Sequence, residues 1–175
     1  MAPKSYKQKH SSTCGIAVIR NILKNKFNIN RTQDYLVKLA ERLYKQKHDN
    51  KPINTRYKIK ENGTDVYHFI NLAKYFKLKV FSKSFGNIRH LKFLINQGIW
   101  PILHRPSELD GDGHYIIVLG YSGSYIYLFD PSKLNGGLKK ESYKTFINKW
   151  TFLNERWFIF YYKDKLNLPF KGKYL

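Results

Sequence analysis

Two apolar runs, Tyr115 to Leu119 and Tyr125 to Phe129, flank Ser122-Gly123-Ser124. That arrangement constrains the fold more than any other stretch. A turn signal between two β-prone runs predicts an antiparallel hairpin. Side chains alternate across a strand, yet both faces of both runs are apolar, so the hairpin belongs inside a sheet covered on each side. A three-residue turn over Ser122–Ser124 sets Tyr121 opposite Tyr125 and Ile116 opposite Asp130. His114 and Asp130 then share a face diagonally, at about 7–8 Å between Cβ atoms, a gap that longer side chains bridge. A two-residue turn moves them to opposite faces unless a bulge restores the parity. At the rim of a core, burying either group costs on the order of several kcal/mol unless it is paired. Each also has a plainer use alone: a loop histidine, and the start of an Asp130-Pro131 turn.

The other end of the chain offers a partner for them. In QKHSSTCGIAVIRNIL, residues 8–23, a polar run gives way to helical spacing, with Ile16, Ile19 and Leu23 on one stripe. The spacing predicts a helix from Cys14 to Leu23, extending toward Lys26, capped by Ser11, Ser12 or Thr13. Cys14, the single cysteine, stands at its first turn, where the positive end of the helix dipole favours thiolate over thiol. A lone cysteine opening a buried helix is commonly an inert core residue. Here Gln8 lies six residues before Cys14, near enough for its amide to reach the space beside the sulfur. A thiol, an imidazole, a carboxylate to orient it and an amide donor make up the set for cysteine-based acyl transfer.

Between these ends the periodicity predicts helices over Thr32–Tyr44, Val66–Phe76, Ile88–Gln97 and Ser142–Trp150, and strands over Leu78–Ser82, Ile99–His104 and Trp157–Tyr162. Lys45 to Asn62 reads as a hydrophilic loop able to border a groove. Helices come first and a mostly antiparallel sheet second, an α+β pattern. With 175 residues and no linker or repeat, the chain reads as a basic lead-in (1–7), one domain (8–162) and a basic tail (163–175).

Composition excludes several classes of function. One cysteine forbids an internal disulfide, the N-terminus lacks the apolar core of a secretory signal, and no run approaches a membrane span. The expectation is a cytoplasmic protein. Lys and Arg number 32 against 12 Asp and Glu, a formal charge of +20, which attracts nucleic acid, anionic membranes or acidic polypeptides. The lysines are spread along the chain without a nucleic-acid-binding signature, so the charge is read as a modifier of partner choice. Asp110, Asp112 and His114 alternate in DGDGH, but they are too few for a metal site and fit turn chemistry. The remaining histidines, His10, His48, His68, His90 and His104, have no convergent partners in sequence and read as surface or helix-face residues. Trp100, Trp150 and Trp157 read as core.

Gln8 with Cys14-Gly15, Asn62-Gly63-Thr64 opening a later helix, GIWPIL (98–103), Gly113-His114 leading into YIIVLGY, and YIYLFDP (125–131) together resemble the papain-like cysteine peptidases of family 39. These are the bacteriocin-processing, double-glycine-leader peptidases and their stand-alone relatives. The resemblance spans roughly Tyr6 to Tyr162. It implies a papain-like fold with a helical N-terminal half packed on a C-terminal sheet. It further implies Cys14 as nucleophile, His114 as general base and then acid, and Asp130 as orienter of the imidazole. Gln8 and the Cys14 backbone N–H would form the oxyanion hole, with no metal or organic cofactor. Transporter-linked members continue into membrane spans and a nucleotide-binding domain, whereas this sequence stops, as a stand-alone domain would. The implied partner is a peptide or protein, acidic by charge complementarity. Two other readings compete: a non-catalytic peptide-binding module of the same fold, and a basic nucleic-acid-binding protein.

Overall fold

The computed structural model describes residues 6–48, 58–106, 113–151 and 155–175. Helices α1 (Cys14–Phe27), α2 (Gln33–His48), α3 (Ile59–Asn62) and α4 (Val66–Tyr75) come first, followed by strand β1 (Lys79–Lys83) and helix α5 (Ile88–Asn96). Strands β2 (Ile102–Pro106), β3 (Gly113–Ser122), β4 (Tyr125–Asp130) and β5 (Gly137–Ser142) come next. Helix α6 (Tyr143–Trp150) and strands β6 (Phe158–Tyr162) and β7 (Lys173–Tyr174) close the chain. The strands form one antiparallel sheet in the order β5-β4-β3-β2-β6-β1-β7.

Strand alternation divides the interior into two cores. Ile102, Tyr115, Ile117, Phe129, Ile159 and Tyr161 join Ile16, Ile19, Leu36, Phe69 and Leu72 on the side of α1, α2 and α4. Leu103, Ile116, Val118, Leu128, Phe158 and Phe160 join Leu91, Leu94, Phe146 and Trp150 on the side of α5 and α6. The central hairpin is therefore apolar on both faces because helices cover both. At about 25 cal/mol per Å² of apolar area removed from water, these two layers supply most of the drive to fold.

Local chemistry sets the boundaries. Thr32 accepts the Tyr35 N–H at 3.2 Å and so opens α2. Asp65 accepts from the Tyr67 N–H at 2.8 Å, while His68 Nδ1 accepts the Asp65 N–H at 2.9 Å, closing a reciprocal cap on α4. His68, expected on the surface or on a helix face, is thus a fully buried capping residue in the first turn of α4. Asn87 caps α5 and Ser142 caps α6. Gly98, at φ +72°, lets the chain turn away after α5.

The C-terminal basic segment does not trail away from the domain. Lys173 pairs with Ser82 and Tyr174 with Phe81, and Leu166, Leu168 and Phe170 pack on the second core. Residues 45–48, expected in a loop, continue α2, and residues 59–62 form the short α3. The middle of that expected loop, residues 49–57, lies outside the described residues.

Candidate active site

The polar run before α1 builds a tied loop instead of the expected cap. Thr13 stands at the cap position, yet its hydroxyl donates to the His10 carbonyl at 2.8 Å and accepts the His10 N–H at 3.2 Å, with no cap bond to the helix. Ser12 Oγ donates to the Lys60 carbonyl. The first turn of α1 holds no acidic residue, so the positive end of its dipole faces the Cys14 position without a carboxylate to offset it. Gly15 is required by a close approach: a Cβ there would stand 2.5 Å from Thr64 Cβ. The Cys14-Gly15 and Asn62-Gly63-Thr64 segments are thereby two sides of one contact. Gly63, at φ +79°, makes the backbone turn that delivers Thr64.

On the sheet side, the hairpin differs in detail from the expectation. Ser122 pairs with Tyr125, so the turn has two residues, Gly123 and Ser124, and Gly123 at φ +53° occupies the first central position. That turn alone would separate His114 from Asp130. A bulge between Val118 and Gly120 adds one residue to β3, after which Val118 pairs with Leu128 and Ile117 with Phe129. The register then carries Ile116 opposite Asp130, and the parity is restored. His114 Nε2 lies 2.8 Å from Asp130 Oδ1, with both residues buried.

The loop after β4 and the neighbouring strand complete the carboxylate's surroundings. Asp130 Oδ1 also accepts the Ser132 N–H at 2.8 Å, and Ser132 Oγ lies 3.1 Å from His114 Nε2. Lys139 Nζ reaches the other oxygen, Asp130 Oδ2, at 3.0 Å. Cys14 is hydrogen-bonded to the same imidazole.

Electrostatics follow from these bonds. Burial alone would lower the His114 pKa, but its hydrogen bonds with Asp130 and Cys14 and their charges overcome it and push it up to about 9. Burial would raise the Asp130 pKa, but the bonds from His114 and Ser132 hold its carboxyl well below the usual carboxylate range. His104, stacked on Tyr115 with ring centroids 4.6 Å apart, is lowered to about 4 by burial and by the charge of His114. Tyr115 is pushed up, by burial first and then by Cys14 and Asp65. A sulfur, an imidazole and a carboxylate gathered at one place are the groups that nucleophilic acyl transfer uses.

The model of the Peptidase_C39 like family matches residues 3–161. The chain belongs to that family. Solved structures share its fold. A C39-like peptidase from Bacillus anthracis superposes with a TM-score of 0.66 at 17% identity, covering 94% of this chain and 96% of that one. The peptidase domain of Streptococcus ComA, a bifunctional ABC transporter of a quorum-sensing pathway, gives 0.65 at 20% identity over 91% and 97%. A double-glycine-motif protease from an AMS/PCAT transporter, solved in complex with the leader peptide, gives 0.60 at 16% identity over 90% and 89%. No curated protein sequence matches the chain. The architecture is that of the C39 peptidases, a papain-like helical half against an antiparallel sheet.

Within this C39 fold, Cys14, His114 and Asp130 meet at one place. Gln8 is less simply arranged. Its backbone N–H donates to the Pro131 carbonyl at 2.8 Å, tying the pre-helix loop to the end of β4. Its side-chain Nε2 donates to the Ser11 carbonyl at 2.8 Å, and its Oε1 is buried without a hydrogen-bond partner, which costs about 1–3 kcal/mol. Sequence reasoning missed Ser132, Lys139 and Tyr115. Ser132 was within reach of it, because an aspartate that accepts the N–H two residues on is an ordinary Asx turn. Asp110 and Asp112 lie outside the described residues. Among the described residues, no group of three or more His, Cys, Asp or Glu side chains could hold a metal ion, and no helix is long and apolar enough to cross a membrane.

Proposed function

We propose that this protein is a cysteine peptidase in which Cys14 is the nucleophile, His114 the general base and then acid, and Asp130 the orienter. The observation that carries the reading is that Cys14 and Asp130 are both partners of the His114 imidazole. The Cys14 thiolate adds to the carbonyl carbon of the scissile bond. The resulting oxyanion is held by the Cys14 N–H, which has no acceptor within its own helix, and by the second N–H of the Gln8 amide. The C–N bond then breaks, the amine leaves with the His114 proton, and a thioester remains. Water passes one proton to His114 and attacks that thioester, releasing the acid and restoring the imidazolium and thiolate.

The substrate we assign is a peptide, with a leader peptide as the first candidate by likeness to the AMS/PCAT complex. Lys9 pairs with Asp34 at 2.6 Å and Lys60 acts on the same carboxylate, so two lysines stand beside the loop leading to Cys14. Acidic residues in the peptide are favoured there. The test is a cleavage profile on a peptide library with Cys14→Ala as control. Cleavage by the wild type alone supports the reading, whereas binding without any product would make the chain a peptide-binding module.

A further inference from the structure

We propose that Lys139 is a positioning residue for the imidazole: by holding the outer oxygen of Asp130 from β5, it limits how much of the carboxylate's charge reaches His114. This rests on the reading of His114 as the base. The geometry is specific. Lys139 pairs with Leu128 and Gly137 with Asp130, so Lys139 is the diagonal neighbour of Asp130 on one face, at a distance its long side chain spans. The residue directly opposite Asp130 is glycine, with no side chain to compete. Lys139 Nζ takes Oδ2 at 3.0 Å while His114 and the Ser132 N–H share Oδ1. The side chain of Asp130 is 5% exposed and that of Lys139 is 21% exposed, so solvent screens the pair little.

A carboxylate rotates in a broad, nearly two-fold well. A cation on one oxygen and a backbone N–H on the other remove that degeneracy and point Oδ1 at the ring. The charge matters as well as the aim, because a base that must return its proton to a leaving amine cannot sit beside an unopposed buried carboxylate. Every element around His114 contributes: Cys14 from α1, His104 and Arg105 from β2, Tyr115 on its own strand, Asp130 from β4, Ser132 after it and Lys139 from β5. Arg105 lies directly across from His114 in the register. Its charge is met by both oxygens of Glu141 at 3.1 Å, which leaves Lys139 to oppose Asp130.

The experiment is an NMR titration of the His114 ring in the full chain, in wild type, Lys139→Met, Lys139→Gln and Lys139→Arg. Alongside it, kcat and KM are measured from pH 5 to 10 on a cleaved peptide. Removing the cation should raise the His114 midpoint by about half to one pH unit. The alkaline limb of kcat should move with it, kcat should fall about 10-fold with KM within two-fold, and Arg should restore all three. An unchanged or lowered His114 midpoint in both neutral variants overturns the proposal, and Lys139 is then a structural ion pair. The titration needs no turnover. A wild type that cleaves nothing would sink the peptidase reading while leaving this coupling to be judged separately.

Discussion

The two walls of the site are built to different standards. On the sheet wall, His114, Asp130, Ser132 and Lys139 form a closed set in which both carboxylate oxygens are engaged. On the helix wall, Gln8 Oε1 and Thr64 Oγ1 are buried without hydrogen-bond partners among the described residues, and the backbone at Gly15 is pressed against Thr64. The difference teaches where the molecule has spent stability and where it has kept reactivity. A closed polar set rigidifies the base. Unsatisfied polar groups on the other wall cost stability.

The strongest way to break this contrast is to remove the carboxylate of the sheet wall. Asp130→Ala leaves the strand pairing and its bulge in place but takes away the partner of the His114 imidazole. Activity should fall by roughly 10³-fold or more, near the level of Cys14→Ala. An Asp130→Ala variant that folds by circular dichroism and keeps more than a tenth of wild-type activity would contradict it.

The next effect is a pH dependence confined to the sheet wall. The His114 pKa is raised from 6.5 to about 9 on folding. Its contribution to stability is therefore full below pH 6.5 and is lost as pH rises through 9. The gap in urea stability between wild type and His114→Ala should shrink between pH 6 and pH 10, by on the order of 3 kcal/mol. Asp130 acts in the opposite direction: its contribution is present above the ordinary carboxylate range and is lost as pH falls below about 4. A gap that does not change with pH would mean the imidazole is not charged by its neighbours. The smallest effect belongs to the helix wall. Gly15→Ala forces a Cβ into Thr64 and should cost about 1–3 kcal/mol in urea unfolding, with Thr64→Gly in the same chain recovering part of it.

Much of this was legible in the sequence, for physical reasons that also mark its limits. Helix periodicity found α1, α2, α4, α5 and α6, and the doubly apolar runs of the hairpin called for helices on both faces. The turn was misread because Ser122-Gly123-Ser124 serves two or three residues equally. The compensating bulge leaves no trace, since Leu119 is one more apolar residue in an apolar strand. Strand β5 was missed because GLKKES carries a single aliphatic, Leu138, and that one is exposed. Its buried member, Glu141, is inward only because Arg105 meets it there. Lys139 was hidden by abundance, as one lysine among many in a chain of +20.

The central claim, that His114 activates Cys14, is tested most directly by the rate at which iodoacetamide alkylates Cys14 as a function of pH, in wild type and in His114→Ala. The account predicts rapid labelling near neutral pH in the wild type and strong suppression in the variant. A wild-type rate equal to that of an ordinary thiol, or a rate indifferent to the loss of His114, would contradict it.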